Sequence, residues 1–195
     1  LQVSNLAEQA AEAIGADQLL VRVGALYHDC GKALNPQFFI ENQLPDAINT
    51  HDNMEPLDAA RTVILHVIDG LALARKHRLP SRIQDFISEH HGTLAARYQY
   101  NRAVEAAGGD TSKVDISLFR YPGPSPQSRE TAILMLADGT EARARAERPA
   151  DEASLRALIR RVVDHCQQDG QLDATRLTLR DLHLIIESFV STLRG

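Results

Sequence analysis

Apolar residues recur at the spacing of an α-helix through most of the chain, and this periodicity is the feature that most restricts its fold. In residues 1–14, Leu6, Ala10 and Ile14 follow one another at intervals of four. The i, i+3, i+4 pattern returns in three later segments, "SRETAILMLADG", "ADEASLRALIRR" and "TLRDLHLIIESF". The irregular stretch "DTSKVDISLFRYPGPSPQ" is too rich in proline for a central strand. The sequence therefore predicts an all-α bundle of about eight helices, with no strand.

Local signals indicate where the first two helices end and begin. Gly15 is placed to end the first helix, and Asp17 is placed to cap the second. The second helix, in "DQLLVRVGALYHDCGK", is expected to stop at Gly31. His28 and Asp29 therefore lie on its last turn.

Two further segments carry weaker signals. Residues 33–56 contain three prolines and several Asn and Asp residues, which predicts a loop with a short helical turn over 38–42. Loops of this length are usually functional. Residues 55–78 have a helical pattern, and a break is expected near Gly70.

Length and charge limit the classes of protein and partner. A chain of 195 residues is long enough for one domain, which we expect to comprise a helical core over 1–148 and C-terminal helices over 151–195. The net charge is -5, and no run of Lys or Arg is long enough to follow a phosphate backbone. A polymeric nucleic acid is therefore not an expected partner.

The cysteines and the chain start bear on the cellular compartment. Cys30 and Cys166 match no disulfide or zinc-ribbon spacing, so reduced cytosolic thiols are expected. No signal peptide is recognisable, and no apolar run approaches the roughly 18 residues of a membrane span. Because the sequence begins at Leu1, without Met and already inside a helical pattern, we expect further residues upstream.

Ligand-type side chains occur near the ends or on the apolar faces of four predicted helices. They are His28 with Asp29, His66 in "ILHVIDG", His90 with His91, and Asp138 in "MLADGTEA". A carboxylate beside the apolar run that ends at Ala137 is costly to bury alone, and a shared metal would satisfy the whole set. Imidazole and carboxylate ligands without thiolates favour iron, manganese or a similar divalent ion over a structural zinc. Two such ions bridged by one carboxylate would generate a hydroxide nucleophile and clamp a phosphodiester.

The alternative for each histidine, taken singly, is a packed or capping residue of the core. His77 and His165 lie in polar surroundings and are expected to be solvated, and His51 is a second-rank candidate in a loop. Adjacent histidines at a helix end, following an isolated His-Asp pair, favour the metal centre.

The order His-Asp, His, His-His, Asp resembles that of the HD-domain metal-dependent phosphohydrolases. More narrowly, four segments, taken in order, are similar to the cytoplasmic domain of the seven-transmembrane HD proteins of the PgpH type, which hydrolyse cyclic di-AMP. They are "YHDCGKALNPQFFIENQ", "HVIDGLALA", "EHHGT" and "RYPGPSPQSRETAILMLADGTEA". The resemblance runs from Leu1 to about Glu147 and implies an HD-domain helical bundle.

The resemblance also implies a set of metal ligands. One metal would be bound by His28, Asp29 and Asp138, and the other by Asp29, His66, His90 and His91, with Asp29 bridging. The family's first ligand is a histidine of the first helix, and in this chain it would fall one or two residues before Leu1. Glu89 and Asp69 are expected to support the histidines as second-shell partners.

Substrate contacts are expected from one lysine, two loops and nearby tyrosines. Lys32, one turn after the His-Asp pair, is placed to meet the phosphate, and we group it with His28 and Asp29 as catalytic. Aromatic and amide side chains would stack on or hydrogen-bond to the adenine bases, although the aromatics fit a core role equally well. These candidates are Phe38, Phe39, Asn42, Tyr98, Tyr100 and Tyr121.

Together these features predict a phosphodiesterase with two divalent metal ions that hydrolyses cyclic di-AMP to pApA. The resemblance places it as the cytoplasmic domain of a bacterial inner-membrane protein with transmembrane helices upstream, and a dimer is compatible with the sequence. Two alternatives stay open. One is a nucleotide phosphohydrolase of the wider HD group, and the other is a sensor domain that binds a cyclic dinucleotide without cleaving it.

Overall fold

The computed structural model describes residues 1–39 and 54–194, and eight α-helices form this part of the chain. The helices are α1 (Gln2–Ile14), α2 (Gln18–Tyr27), α3 (Pro56–Lys76), α4 (Ser81–Glu89), α5 (Arg97–Ala106), α6 (Arg129–Glu147), α7 (Glu152–Gln168) and α8 (Leu179–Arg194). Short 3-10 turns cover Cys30–Leu34, Pro36–Phe38, Thr111–Lys113 and Ile116–Phe119. The described residues contain no strand, only an isolated bridge between Ala95 and Arg120. The predicted all-α bundle is confirmed.

Side-chain and glycine caps fix the helix ends that the sequence indicated. Gly15 takes a left-handed conformation, with φ of 66°, and its N–H donates to Glu12 O and Ala11 O at the end of α1. The Asp17 side chain accepts from Leu20 N at the start of α2. The predictions for these two caps are confirmed.

The expected break at Gly70 is wrong. Helix α3 runs without interruption from Pro56 to Lys76. Gly70 faces the 3-10 turn after α2, and a Cβ there would lie 3.4 Å from the Gly31 backbone N. The glycine therefore allows two backbones to approach closely, and the helix keeps its hydrogen bonds through it.

Two hydrophobic clusters form the interior. The larger joins α1, α2, α4 and α6 to the C-terminal helices, so that Leu6 and Phe86 share one core with Ile159 and Phe189. The smaller joins α3 and α5 to the segment around Phe119. The single-domain arrangement, with a core over 1–148 and helices over 151–195, stays a prediction that this shared core supports.

Helix α6 lies at the centre of the bundle. Its residues 131–137 are all buried, although a helix at the edge of a bundle would bury only one stripe. Asp138 follows this buried run directly and is half-buried. Among the described residues, no helix combines the length and apolarity that crossing a membrane requires.

Candidate metal centre

Four elements bring the predicted ligands into one cleft. His28 and Asp29 directly follow α2, and His66 lies within α3. His90 and His91 directly follow α4, and Asp138 lies in α6. Because helix ends and buried helical turns are rigid, they can hold side chains in a fixed relative geometry.

Backbone carbonyls orient three of the histidines. The Nδ1 atoms of His28, His66 and His90 lie 2.7, 2.6 and 2.9 Å from the carbonyl oxygens three residues earlier in the chain. A carbonyl only accepts hydrogen bonds, so each of these Nδ1 atoms carries the proton and donates it. In the neutral ring the lone pair is then on Nε2, the atom that faces the cleft.

The cleft-facing atoms form two overlapping sets. In the first, the Nε2 atoms of His66 and His90 lie 3.2 Å apart, and Asp29 Oδ1 lies 3.4 and 3.6 Å from them. His91 completes this set, with all ligand atoms within 4.8 Å of one another. The second set contains His28, Asp29 and Asp138. Asp29 belongs to both.

The first set fits a metal ion because its polar atoms cannot satisfy one another by hydrogen bonding. Asp29 Oδ1 is buried and has no hydrogen-bond partner among the described residues. It faces the lone pairs of His66 and His90, so acceptors meet acceptors unless a cation lies between them. A buried carboxylate oxygen in this position is costly unless a cation satisfies it.

Charge in the second set is balanced differently. Burial alone would lower the pKa of His28, but the carboxylates of Asp29 and Asp138 outweigh it and raise that pKa to about 10 in the metal-free chain. Burial would raise the pKa values of both carboxyls, but His28 outweighs it and holds them below their usual range. Both carboxylates are therefore charged at neutral pH.

The pKa values of the adjacent histidines, His90 and His91, are lowered, whereas that of His28 is raised. Burial lowers the pKa of His90, and burial, followed by the unfavourable interaction of the two adjacent rings when both are protonated, lowers the pKa of His91 well below its usual value. Both rings are therefore neutral at pH 7 and retain a lone pair for a metal. The donor set is entirely nitrogen and oxygen, which suits a borderline-to-hard divalent ion.

Lys32 lies beside Asp29, the carboxylate that the two sets share. Its ammonium is 2.8 Å from Asp29 Oδ2 and 5.1 Å from the centre of the Phe39 ring. The side chain is 19% exposed and lines the cleft. Lys32 therefore adds a positive charge to the cleft beside Asp29.

The ligands open into a cavity of about 880 Å³, a volume typical of small-molecule sites. Five of the six candidate ligands line it, all but His90. Five of the predicted substrate residues line it too, and these are Lys32, Phe38, Phe39, Tyr98 and Tyr121. Asn42 and His51 lie outside the described residues. Tyr100 does not reach the cavity, because it is buried against Phe119 in the smaller hydrophobic cluster.

The four aromatic side chains divide into two kinds. Tyr121 is buried, and its ring stacks on His91 with 4.2 Å between ring centres. Phe39 is also buried and meets His66 edge-on at 5.6 Å. Tyr98 is 54% exposed and Phe38 is half-buried. The first pair packs on the ligands, and the second pair forms the accessible wall.

The expected second-shell carboxylates are wrong for His28, His66 and His90. The Nδ1 partners are main-chain carbonyls of the same helices, as in the contact between His90 Nδ1 and Ile87 O. Glu89 instead accepts a hydrogen bond of 2.9 Å from Gln127 N, and Asp69 lies on α3, where His66 already uses Val63 O. Carbonyls one helical turn back satisfied the rings locally, so no carboxylate was needed.

Three polar residues of the cavity wall were missed from the sequence. Gln99 is buried on α5, and Glu141 and Arg145 lie on α6. Glu141 and Arg145 follow Asp138 by three and seven residues, so all three share one helix face. This spacing from Asp138 could have identified Glu141 and Arg145 in the sequence.

Comparison with known proteins gives one family. The HD domain family model matches residues 1–143. Over all 195 residues the chain is 39% identical to "Cyclic-di-AMP phosphodiesterase PgpH" of Bacillus subtilis (strain 168) and 36% identical to the protein of that name from Listeria monocytogenes serotype 1/2a (strain 10403S). The chain spans 27% and 26% of the length of these relatives.

Solved structures agree with this assignment. The crystal structure of the L. monocytogenes phosphodiesterase PgpH HD domain matches with a TM-score of 0.91 at 36% identity, over 100% of this chain and 89% of that one. The same domain in complex with cyclic-di-AMP matches with a TM-score of 0.93 at 36% identity, over 100% and 88%. By ligand order, fold and sequence, the chain belongs to the HD-domain family of metal-dependent phosphohydrolases.

Proposed function

We propose that the chain is a metal-dependent phosphodiesterase that hydrolyses cyclic di-AMP to the linear dinucleotide pApA. The observation that carries this proposal is the pair of ligand sets sharing Asp29 at the base of an aromatic-walled cavity. The cyclic-di-AMP phosphodiesterases to which the chain is similar match it over its full length. A related HD domain in complex with cyclic-di-AMP has the same fold.

The two ligand sets assign the residues that would hold metal. One ion would be bound by His28, Asp29 and Asp138, and a second by Asp29 with the three remaining histidines, His66, His90 and His91. Iron or manganese suits these nitrogen and oxygen donors, and two such ions would supply Lewis-acid activation of water and neutralise phosphodiester charge. Leu1 and Gln2 line the same cavity, which is compatible with a further histidine ligand preceding Leu1.

The chain's own groups would orient the substrate. Lys32 already lies on Asp29, so its ammonium needs only a small shift to pair with a phosphate oxygen beside the metals. Tyr98 and Phe38 present their rings on the cavity wall, where adenine faces can stack. Tyr121 and Phe39 exclude water from the ligand side while holding the rings of His91 and His66.

The direct test is product analysis on the metal-loaded chain. The purified chain is loaded with Mn²⁺, or with Fe²⁺ under anaerobic conditions, and incubated with cyclic di-AMP. Chromatography with mass spectrometry should show pApA, and a chelator should stop its formation. Tight binding of cyclic di-AMP without turnover would identify a sensor, and preferred cleavage of nucleoside mono- or triphosphates would favour the wider HD group.

The cellular setting is part of the same proposal. Because the chain spans about a quarter of its curated relatives, we place it as one cytoplasmic domain of a larger bacterial membrane protein. Both cysteines are free thiols, which suits a reducing compartment. A dimer stays a prediction.

Replacing the wall aromatics should separate substrate binding from chemistry. We expect Tyr98→Ala and Phe38→Ala to weaken cyclic di-AMP binding roughly 5- to 150-fold each, because one stacked base contributes about 1–3 kcal/mol. Cleavage of a generic aryl phosphodiester should be unchanged in both. Tyr121→Ala and Phe39→Ala should impair both substrates, because these rings also hold His91 and His66.

The measurement is a paired assay of both substrates on each variant, with cyclic di-GMP as a competitor. Equal losses on the two substrates in Tyr98→Ala would show that this ring supports the fold instead of the base. A preference of the parent chain for cyclic di-GMP would overturn the proposal that the substrate carries adenine bases.

Removing either paired histidine should abolish turnover while leaving the helices intact. We expect His90→Ala and His91→Ala each to lose activity and bound metal, with little change in helical circular dichroism. His90→Ala should cost more stability, because His90 is buried and His91 only half-buried. If the metal-free parent folds and one variant does not, that histidine belongs to the core and not to the metal centre.

A further inference from the structure

We propose that Gln171, in the connection between α7 and α8, is a positioning residue for the His90–His91 ligand pair. The inference rests on the proposed metal centre and extends it to a segment beyond residues 1–143, which the HD family model matches. Gln171 is neither a candidate ligand nor one of the residues that line the cavity. It would act through Thr93, in the turn that follows the two histidines.

Gln171 forms hydrogen bonds with both the backbone N–H and the hydroxyl group of Thr93. Its Oε1 accepts from Thr93 N at 2.9 Å, and its Nε2 donates to Thr93 Oγ1 at 2.8 Å. The two residues are 78 positions apart in the chain. A side-chain amide bound at both ends fixes orientation as well as distance, because its donor and acceptor are not interchangeable.

A salt bridge between Arg120 and Asp169 connects the carbonyl oxygen of Thr93 to the same network. Arg120 donates from one guanidinium nitrogen to Thr93 O at 2.7 Å and to Asp169 Oδ2 at 3.0 Å, while its second nitrogen reaches Asp169 Oδ1 at 3.3 Å. Asp169 Oδ2 also accepts from Gln171 Nε2 at 3.0 Å. Every polar atom of Thr93 is thus bound by a network based at the end of α7.

The turn that joins His91 to Thr93 is fixed by hydrogen bonds and by close packing. Gly92 has a positive φ of 50°, and its N–H donates to Glu89 O at 2.9 Å. Leu94 N donates to His91 O at 3.0 Å. A Cβ on Gly92 would overlap Gln171 Oε1, so the amide packs directly on this turn. A shift of Thr93 would therefore be transmitted through the turn to His91.

The same network also places the ring that covers His91. Tyr121 directly follows Arg120 in the chain, and Tyr121 N donates to Leu94 O at 2.9 Å. Its ring stacks on His91 at 25° and 4.2 Å. Gln171 is 1% exposed, so loss of its partners would leave a buried amide unsatisfied and would favour rearrangement of the whole group.

The test compares metal affinity in two variants, one just after the C-terminal end of α7 and one at its N-terminal end. Gln171→Met keeps the side-chain length and removes both hydrogen bonds to Thr93. Asp151→Ala removes the N-cap at the opposite end of α7 and should lower the unfolding temperature by about 2–4 °C without touching the turn. Mn²⁺ is titrated calorimetrically into the chelator-treated, full chain.

We expect Gln171→Met to bind Mn²⁺ about 10- to 100-fold more weakly than the parent, as outer-shell substitutions do, and Asp151→Ala to bind like the parent. Side-chain NMR of the histidines should show the ring resonances of His91 shifted in Gln171→Met and unshifted in Asp151→Ala. Thr93→Val should reproduce the loss, and Thr93→Ser, which keeps the hydroxyl, should restore parental affinity. These two variants test the contact even if Gln171→Met fails to fold.

Parental Mn²⁺ affinity in both Gln171→Met and Thr93→Val would overturn the proposal. An equal loss in Asp151→Ala would overturn it too, because the effect would then follow stability and not position. Since the titration uses no substrate, its result is independent of whether the chain cleaves cyclic di-AMP. A parent chain that binds no Mn²⁺ would overturn this inference and the metal centre together.

Discussion

Replacing Asp29 with alanine should abolish hydrolysis of cyclic di-AMP and remove most of the bound metal. Asp29 contributes one oxygen to each ligand set, so a single substitution removes a donor from both proposed ions. It also removes the partner of Lys32 and leaves His28 with one carboxylate in place of two. We expect turnover to fall by at least about 10³-fold, which corresponds to about 4 kcal/mol of transition-state stabilisation.

The measurement combines metal analysis of the purified protein with the cyclic di-AMP assay. Asp115→Ala is the matched control, because it also removes one aspartate but lies at an exposed turn away from the cleft. Normal turnover with unchanged metal content in Asp29→Ala would exclude a bridging role. Lost turnover with both ions retained would instead assign Asp29 to the orientation of Lys32.

Local pattern was sufficient for the helices and their caps. The apolar period is a property of neighbouring residues, and so are the Gly15 and Asp17 caps. Gly70 shows where local reasoning fails. Its low helix propensity suggested a break, but α3 continues through it and packs against the turn at Gly31.

The candidate ligands were identified by residue type, and the family resemblance divided them into two sets, whereas the distances between their atoms required the structure. Histidines at helix ends stood out in the sequence, and MLAD marked a carboxylate beside a buried run. The outer partners were misjudged because carboxylates were expected, whereas a helix already offers each ring the carbonyl three residues back. The types of the side chains do not reveal where the main-chain carbonyl groups lie.

Contacts between distant segments could not be predicted from one sequence. Gln171 and Thr93 are brought together by the packing of α7 beside the turn after α4. Thr93 ends the segment EHHGT, but Gln171 lies in no recognisable motif. The stacking of Tyr121 on His91 likewise depends on a bridge between two loops. Such pairings follow from tertiary packing, which no local periodicity encodes.

Gly31→Ala should give the largest loss of stability among single-methyl additions near the site. A Cβ at Gly31 would overlap the carbonyl oxygen of His66 and lie 2.5 Å from Gly70 N, and both are backbone atoms of α3. Backbone cannot turn aside as a side chain can, so we expect a cost of about 3 kcal/mol, at the upper end for overpacking. The unfolding temperature should fall by about 6–12 °C.

The same substitution should weaken metal binding, because Gly31 sets the distance between the turn carrying Asp29 and the helix carrying His66. The matched control is Gly70→Ala on the opposite side of this contact. Its Cβ would meet mainly the Ile87 Cγ2 methyl at 2.9 Å, a side-chain contact in place of a backbone one, and alanine favours the helix by about 0.5–1 kcal/mol. Because the buried Ile87 must shift, we expect Gly70→Ala to cost about 1–2 kcal/mol, less than Gly31→Ala. Thermal unfolding and Mn²⁺ titration of both variants decide the matter, since parental stability and affinity in Gly31→Ala would mean that the turn has room to move away from α3.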